Sequence, residues 1–293
     1  VAIFAWKAHL DEAGITYDPK VPFTWQQVGE YAKKLTIKDG NTVTRFGACA
    51  YDGSVIDHMR LMVWCTQLGG SAYSEDFSEP KWDSEEVVSF LDWAIDLVKA
   101  GAIASPLYQP EGNSYTTPFL TEGFSMLICG YWYTGSIRSN ENTKDRLDDL
   151  VFLPTPQQEG KDRVSFTTAA CGGIALRQSK NPEATVKFMD YFFSGPPATD
   201  RAKGGWGIPM YKSMLEIMPS ETNFDKQCLE VVYDEMDYMN MSFKVNPFIG
   251  FDTVTALISK YIAPVWEGES TIADAVASIN ADLVPLIKEG MEI

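Results

Sequence analysis

The sequence predicts an α/β fold, and two observations support this prediction. Short apolar segments at 45–51, 125–129, 150–153 and 172–176 have the length and composition of strands. Longer segments between them carry apolar residues at helical spacing and well-formed helix starts. Because brief apolar strands alternate with helices, we expect an α/β architecture rather than a helical bundle or an all-β sandwich.

The first helix is predicted over 24–35. It opens with Thr24-Trp25-Gln26-Gln27, in which Gln27 is spaced to reach back to Thr24 as a capping box. Apolar residues then recur on one face of the helix, including Leu35 at its end. A proline two residues before Thr24 marks the preceding turn.

Three further helices have clear starts and ends. The segment 84–100 has two glutamates in its first turn and a glycine directly after it. The segment 181–195 has Asn181 as N-cap, Pro182 at the first helical position and a glycine as its end. The segment 271–288 begins with a Thr-x-x-Asp cap and is amphipathic.

The composition excludes some classes of partner. The chain of 293 residues has a net charge of −16, with 40 acidic against 24 basic residues. This balance argues against a nucleic-acid partner, because neutralising phosphates requires clustered Lys and Arg. It also disfavours binding to an anionic membrane surface. Eight Trp residues fit both a large core and a carbohydrate site, since a flat ring matches the apolar face of a sugar.

The sequence lacks the motifs of catalysis and of metal binding. There is no Walker loop, no GxGxxG and no GxSxG, and only His9 and His58 are available as imidazole bases. No zinc-type spacing and no disulfide framework is present, and the cysteines fit small buried apolar residues; they are Cys49, Cys65, Cys129, Cys171 and Cys228. No segment is apolar enough to span a membrane, and the first residues do not form a signal peptide. We therefore expect a binding protein rather than an enzyme, without a cofactor or metal.

The order of the segments resembles that of the family 1 extracellular solute-binding proteins of ABC transporters, the maltose- and oligosaccharide-binding group. The motifs that carry the likeness are "PFTWQQVGEYAKKLT", "WCTQLGG", "FLTEGFSMLICGYW", "FLPTPQQEG", "AACGGIALRQSKNPEATVKFMDYFFS" and "GGWGIPMYKSM". Each motif alone is weak, but their order and spacing are specific and run over nearly the whole chain.

The resemblance implies type II periplasmic-binding-protein-like lobes, with the second lobe nearly complete and the first only partial. Family members have about a hundred further residues at the N-terminus, so this chain is expected to be a truncated form. It would begin at the helix after the first crossing between the lobes. The second lobe would comprise 1–166 and the closing helices 247–293, and 167–246 would be the remnant of the first lobe.

The resemblance places the ligand in a cleft at the carboxyl ends of the strands, between two lobes that close by a hinge. Trp132 lies just past the strand in "LICGYW", at the position from which the family's Gly-x-Trp ring stacks on a sugar. Tyr131 and Tyr133 are candidates for an aromatic wall or for hydroxyl donors. Alternation along a strand prevents both from facing the same way as Trp132. The alternative is that all three rings fill the core.

Glycine-rich segments supply further candidates. Gly172 and Gly173 begin a predicted strand and would let a ligand approach the backbone, although a β-bulge or hinge explains them equally well. Trp206, in the loop "KGGWGIP", is a candidate for lining the cleft from the first-lobe side.

Three other side chains complete the predicted site. Tyr51 and Asp57 lie between a strand end and a helix start, where the Asp57 carboxylate is placed to accept from sugar hydroxyls or to cap the helix. Phe251 lies where relatives carry a stacking aromatic residue.

Taken together, the residues and the resemblance predict binding of a mono- or oligosaccharide and its delivery to the permease subunits of an ABC transporter. We expect the protein at the extracellular face of the cytoplasmic membrane or in the periplasm. It would attach to the membrane only through a leader outside this chain, as a lipoprotein does. The alternatives are a glycoside hydrolase with an Asp/Glu pair, a binder of another small molecule, and a fragment without a competent site.

Overall fold

The structure is a computed structural model that describes residues 2–50, 57–104, 117–167, 172–239, 241–242 and 245–292. Its strands are β1 Ala2–Trp6, β2 Ile37–Asp39, β3 Thr42–Ala50, β4 Phe124–Cys129, β5 Leu150–Leu153, β6 Phe166–Thr167 and β7 Met241–Ser242. Its helices are α1 Lys7–Glu12, α2 Trp25–Leu35, α3 His58–Leu68, α4 Glu85–Lys99, α5 Thr117–Leu120, α6 Thr134–Ser139, α7 Pro182–Ser194, α8 Pro196–Gly204, α9 Asn223–Met236, α10 Phe251–Glu267 and α11 Ile272–Met291. The mixed α/β architecture confirms the predicted fold class.

Five strands form one sheet in the order β2-β3-β4-β1-β5. Strand β1 is antiparallel to both of its neighbours, β4 and β5, whereas β3 and β4 are parallel. Strands β3, β4 and β5 consequently run in the same direction. They end at a common edge, which we call the carboxyl edge.

The sheet is covered on both faces, and alternate residues of each strand enter different clusters. Ile3 and Ala5 of β1 pack in a core with α2, α3, α4, α10 and α11. Phe4 and Trp6 pack on the other face, with the residues after β4 and with α9. Because both of their faces are buried, β1, β4 and β5 are almost entirely apolar instead of alternating with polar residues, whereas β2 and the start of β3 are polar and exposed.

The start of the chain differs from the prediction. A strand, β1, precedes the first helix; all five of its residues are buried, and it lies inside the sheet between β4 and β5. The expectation that the chain begins at a helix was therefore wrong. A short apolar run without alternation carries no periodicity that separates a buried strand from a buried helical segment.

The predicted helices are confirmed to within a few residues. Both bonds of the capping box at α2 are present, from the Gln27 N–H to Thr24 Oγ1 (3.1 Å) and from the Thr24 N–H to Gln27 Oε1 (2.9 Å). Ser84 and Thr271 cap α4 and α11 through their hydroxyl groups. Asn181 occupies the N-cap position of α7 but makes no side-chain capping bond.

The segment 167–246 divides between two environments. Helix α9 packs on the sheet, where Phe224 lies near Phe4 (ring centroids 6.5 Å apart). Helix α7, in contrast, has no buried residue. The division of the chain into lobes at 166 and 246 remains a prediction.

The predicted strand over 172–176 does not form. Residues 172–178 are exposed, with Ile174 85% and Leu176 66% accessible. A strand requires a neighbour to accept its backbone hydrogen bonds, and among the described residues no strand is paired with this segment. The prediction of a strand over 172–176 was therefore wrong, although the apolar pattern of "GGIAL" is strand-like.

A buried carboxylate holds together the chain segments that lead into β6 and β7. Glu235, near the end of α9, accepts hydrogen bonds from the Thr155 N–H (3.2 Å) and from the hydroxyl of Ser165, and it pairs with Arg163 (2.5 Å). Beyond it, β6 and β7 pair in parallel. Glu235 thus holds the segment before β6 beside the end of α9, which precedes β7.

The contact between α2 and β3 yields a stability prediction. A Cβ added at Gly47 would lie 1.8 Å from the carbonyl oxygen of Ala32, which is backbone and cannot swing away. We expect Gly47→Ala to lower the free energy of unfolding by about 3 kcal/mol, measured by urea unfolding. Gly172→Ala is the matched control, because its Cβ would meet nothing within 4 Å; equal effects of the two changes would contradict this account.

Candidate functional site

The residues that follow the carboxyl edge form the candidate site. Behind β4, Tyr131–Tyr133 make a single 3-10 turn, with the Tyr133 N–H donating to the Gly130 carbonyl (3.1 Å). The turn runs directly into α6. Strand alternation therefore does not govern these three side chains, contrary to the expectation.

The three aromatic side chains of this turn differ in exposure. Tyr133 is fully buried, edge-on to Phe4 (5.7 Å between centroids). Tyr131 is 6% exposed, and burial raises its pKa to about 12, so the phenol stays protonated at neutral pH. Trp132 is only half-buried. Of the three, Trp132 presents the most surface to solvent, and the two tyrosines are buried behind it.

The loop of Trp206 lies against the same turn. Gly205, in the left-handed conformation (φ 73°), ends α8, and its carbonyl accepts a hydrogen bond from the buried Thr134 hydroxyl (2.6 Å). The indole of Trp206 covers Gly135 so closely that a Cβ there would lie 2.3 Å from Trp206 Cδ2. Its side chain is nevertheless 47% exposed. One face of the ring rests on backbone, which leaves the rest of the side chain toward solvent.

The structure thus brings Trp132 and Trp206 together. A Cβ at Gly207 would lie 3.6 Å from Trp132 Cβ, so the Trp206 loop passes directly over the Trp132 turn. Sequence reasoning assigned Trp206 to the first-lobe side, whereas here it packs on the turn that follows β4. The small residues that make this contact, Thr134 and Gly135, were not singled out from the sequence.

Asp57 acts as a helix cap in this structure. Its Oδ1 accepts from the backbone N–H groups of Met59 (2.7 Å) and Arg60 (3.0 Å), and its Oδ2 accepts from the Arg60 guanidinium (2.9 Å). Arg60 also donates to the carbonyl of Ile128 in β4 (3.0 Å). This buried pair joins the start of α3 to the carboxyl edge at Ile128, three residues before the aromatic turn begins at Tyr131. Tyr51, its predicted companion, lies outside the described residues.

The remaining candidates lie apart from the two tryptophans. Gly172 and Gly173 are exposed, and Gly173 approaches Phe193 of α7. Phe251 is the first residue of α10 and packs against the His58 ring (5.4 Å between centroids).

The described part of the chain contains no group of three or more His, Cys, Asp or Glu side chains placed to hold a metal ion. Four of the five cysteines are buried: Cys49, Cys65, Cys129 and Cys228. Cys171 lies outside the described residues. The site therefore consists of aromatic side chains, backbone and small polar groups.

The family model described as "bacterial extracellular solute-binding protein" matches residues 2–195. The chain belongs to this family. No curated protein matches the sequence. Among solved structures, an ABC substrate-binding protein of Listeria monocytogenes in complex with cycloalternan is 19% identical, with a TM-score of 0.70. The alignment covers all of this chain and 69% of that protein.

Two other solved solute-binding proteins show the same relation. The GacH receptor of Streptomyces glaucescens is 20% identical (TM-score 0.69), and maltose-bound MalE3 of T. maritima is 18% identical (TM-score 0.68). The alignments cover 98% and 96% of this chain, and 69% of each of those proteins. These likenesses confirm a type II periplasmic-binding-protein-like fold of which this chain spans about 70%.

Membership of an extracellular solute-binding family places the protein outside the cytoplasmic membrane or in the periplasm. None of the helices in the described ranges combines the length and apolar character needed to cross a membrane.

The Trp206 contact with Gly135 yields a prediction for this solute-binding protein. Gly135 lies within α6, so alanine suits its backbone, but the new methyl group would occupy the position of the indole. We expect Gly135→Ala to push Trp206 outward and to increase the acrylamide quenching of this already partly exposed indole. In a Trp206→Phe background the same change should leave the quenching unaltered; an equal change in both backgrounds would contradict the packing.

His58 yields a pH prediction. Its imidazole is fully buried among aromatic rings, and burial lowers its pKa from 6.5 to about 4. Between these values the unfolded chain binds a proton that the folded chain does not. The free energy of unfolding should therefore fall as the pH drops from 6.5 to 4, by up to about 3 kcal/mol from this group.

Urea unfolding of the wild type and of His58→Phe at pH 4 to 7 checks this expectation. The two stabilities should diverge progressively below pH 6.5, with the wild type losing more. Parallel pH profiles would show that His58 is not held neutral.

Proposed function

We propose that the chain binds a carbohydrate on the surface formed by Trp132 and Trp206 at the carboxyl edge, and that an ABC transporter permease receives this ligand. The observation that carries the proposal is that the Trp206 loop packs against the Trp132 turn while both indoles remain partly accessible, in a member of a solute-binding family. An aromatic ring covers the C–H face of a pyranose and leaves the hydroxyl rim free for hydrogen bonds.

The ligands of the solved relatives support a sugar or a closely related polyol. Their descriptions include cycloalternan, acarbose, maltose, α-D-tagatose and D-mannitol. These ligands share many hydroxyl groups on a compact carbon skeleton but differ in size. We accordingly propose the ligand class and not one compound.

The chemistry of the site favours binding over turnover. A glycoside hydrolase needs two carboxyl groups about 5–10 Å apart on either side of the scissile bond. One carboxylate, that of Asp225, reaches the Trp206 loop through Arg138, and it is buried and ion-paired with that residue. Such a group is committed to holding α6 and α9 together. We also propose that the protein reaches the membrane as a lipoprotein, through a leader outside this chain.

A sugar panel tests the proposal. We expect maltose, cyclic glucans or mannitol to raise the melting temperature while the sugar is recovered intact. Release of smaller products would support the hydrolase instead. An absence of any response would mean that this chain alone carries no competent site.

The role of Trp132 can be separated from its packing. We expect Trp132→Ala to weaken sugar binding about 30-fold or more, the effect of losing a central aromatic contact worth about 2 kcal/mol. The unliganded protein should remain folded, because Trp132 is only half-buried. Isothermal titration calorimetry and thermal unfolding provide the two measurements.

Tyr233→Ala is the control for this experiment, since Tyr233 is an exposed aromatic residue on α9. It should leave the affinity unchanged. Unaltered binding by Trp132→Ala would remove this residue from the site, and outright unfolding would assign it to the core.

A further inference from the structure

Three buried polar side chains converge beneath the start of α3 without hydrogen-bond partners. They are His58, Tyr73 and Trp82, and each is at most 3% exposed. Both imidazole nitrogens, the phenol oxygen and the indole N–H lack a partner among the described residues. An unsatisfied buried polar group costs about 1–3 kcal/mol. Three such residues in one place therefore demand a common explanation.

The rings surround His58 from different directions. The Tyr73 ring is nearly perpendicular to it (6.1 Å between centroids), and the Trp82 ring is nearly parallel (6.4 Å). Phe251 lies at 5.4 Å and closes another side with purely apolar surface. No charged group is among these ring contacts, and within the described ranges neither imidazole nitrogen has a hydrogen-bond partner.

The donors and acceptors of the three side chains complement one another. The indole offers one donor, the phenol one donor and an acceptor, and the neutral imidazole one donor and one acceptor. A water molecule, which accepts two hydrogen bonds and donates two, matches this set. Burial also raises the pKa of Tyr73 to about 12, and a hydrogen-bonding interaction with the Trp82 indole opposes this shift; the phenol and the indole N–H are thus close neighbours, although they do not reach the geometry of a direct hydrogen bond.

We propose that His58, Tyr73 and Trp82 form a site for one structural water molecule, which bridges the imidazole, the phenol and the indole N–H. Internal waters in proteins typically make about three hydrogen bonds to polar groups that are otherwise unsatisfied. The bridged water would fix the orientation of His58 directly behind Asp57, the cap of α3, and beside Phe251, the first residue of α10. This site is independent of any sugar.

The sign of a stability change distinguishes this site from three unpaired groups. Removing the hydroxyl with Tyr73→Phe should lower the melting temperature by about 2–4 °C if the hydroxyl is bonded through the water. If the hydroxyl is unpaired, its removal relieves a desolvation cost and the melting temperature should rise or stay unchanged. Tyr31→Phe is the control, because Tyr31 is a half-buried tyrosine packed edge-on against Phe23, and it should have little effect.

Water itself can be detected by NMR on the full chain labelled with ¹⁵N. The Trp82 indole N–H, assigned from its loss in Trp82→Phe, should show a negative nuclear Overhauser effect to a long-lived water, and Tyr73→Phe should weaken it. This measurement decides the proposal. An indole signal without a water contact would overturn it even if Tyr73→Phe is destabilising, because the hydroxyl would then have a partner in the protein.

Discussion

The position of β1 between β4 and β5 is the constraint on which the rest of the structure depends. This strand pairs with both neighbours, Phe4 with Leu127 and with Phe152, whereas β4 and β5 do not pair with each other. Being antiparallel to both, β1 makes β4 and β5 run the same way as β3. Three strands therefore end at one edge, and the turns that follow them are gathered there. The candidate site is a consequence of that alignment.

The helices could be predicted from the sequence because their ends are determined by capping residues that lie close together in the chain. Thr24 with Gln27, Ser84 and Thr271 bond to backbone groups within three residues, so a short window contains the whole signal. Strands depend on partners far along the chain. The run at Ala2–Trp6 gave no periodic signal yet forms an interior strand of the sheet, and 172–176 has a strand-like pattern but pairs with no strand in the described part of the chain. Tertiary pairing, and not local preference, decided both cases.

In the candidate site, too, residues with a local sequence signal could be predicted, whereas contacts between distant parts of the chain could not. Trp132 was identifiable because an aromatic residue directly after an apolar strand is expected at a strand end. The neighbourhood of Trp206 was not, since it depends on a hydroxyl and a glycine about 70 residues away, Thr134 and Gly135. Asp57 had two possible roles in the sequence, and the hydrogen bonds favour the cap. His58 gave no functional signal, because a buried imidazole is recognised only from what surrounds it.

The bond from Thr134 to the Gly205 carbonyl has a consequence for the energetics of recognition. It ties the loop of Trp206 to the turn of Trp132, so the two segments that carry the proposed binding indoles are held against each other in the chain without a ligand. A ligand that lies across them does not have to pay for assembling the pair, and more of its contact energy remains as affinity. Selectivity among sugars would then follow from the separation of the two indole rings, which would favour ligands whose sugar rings match that distance.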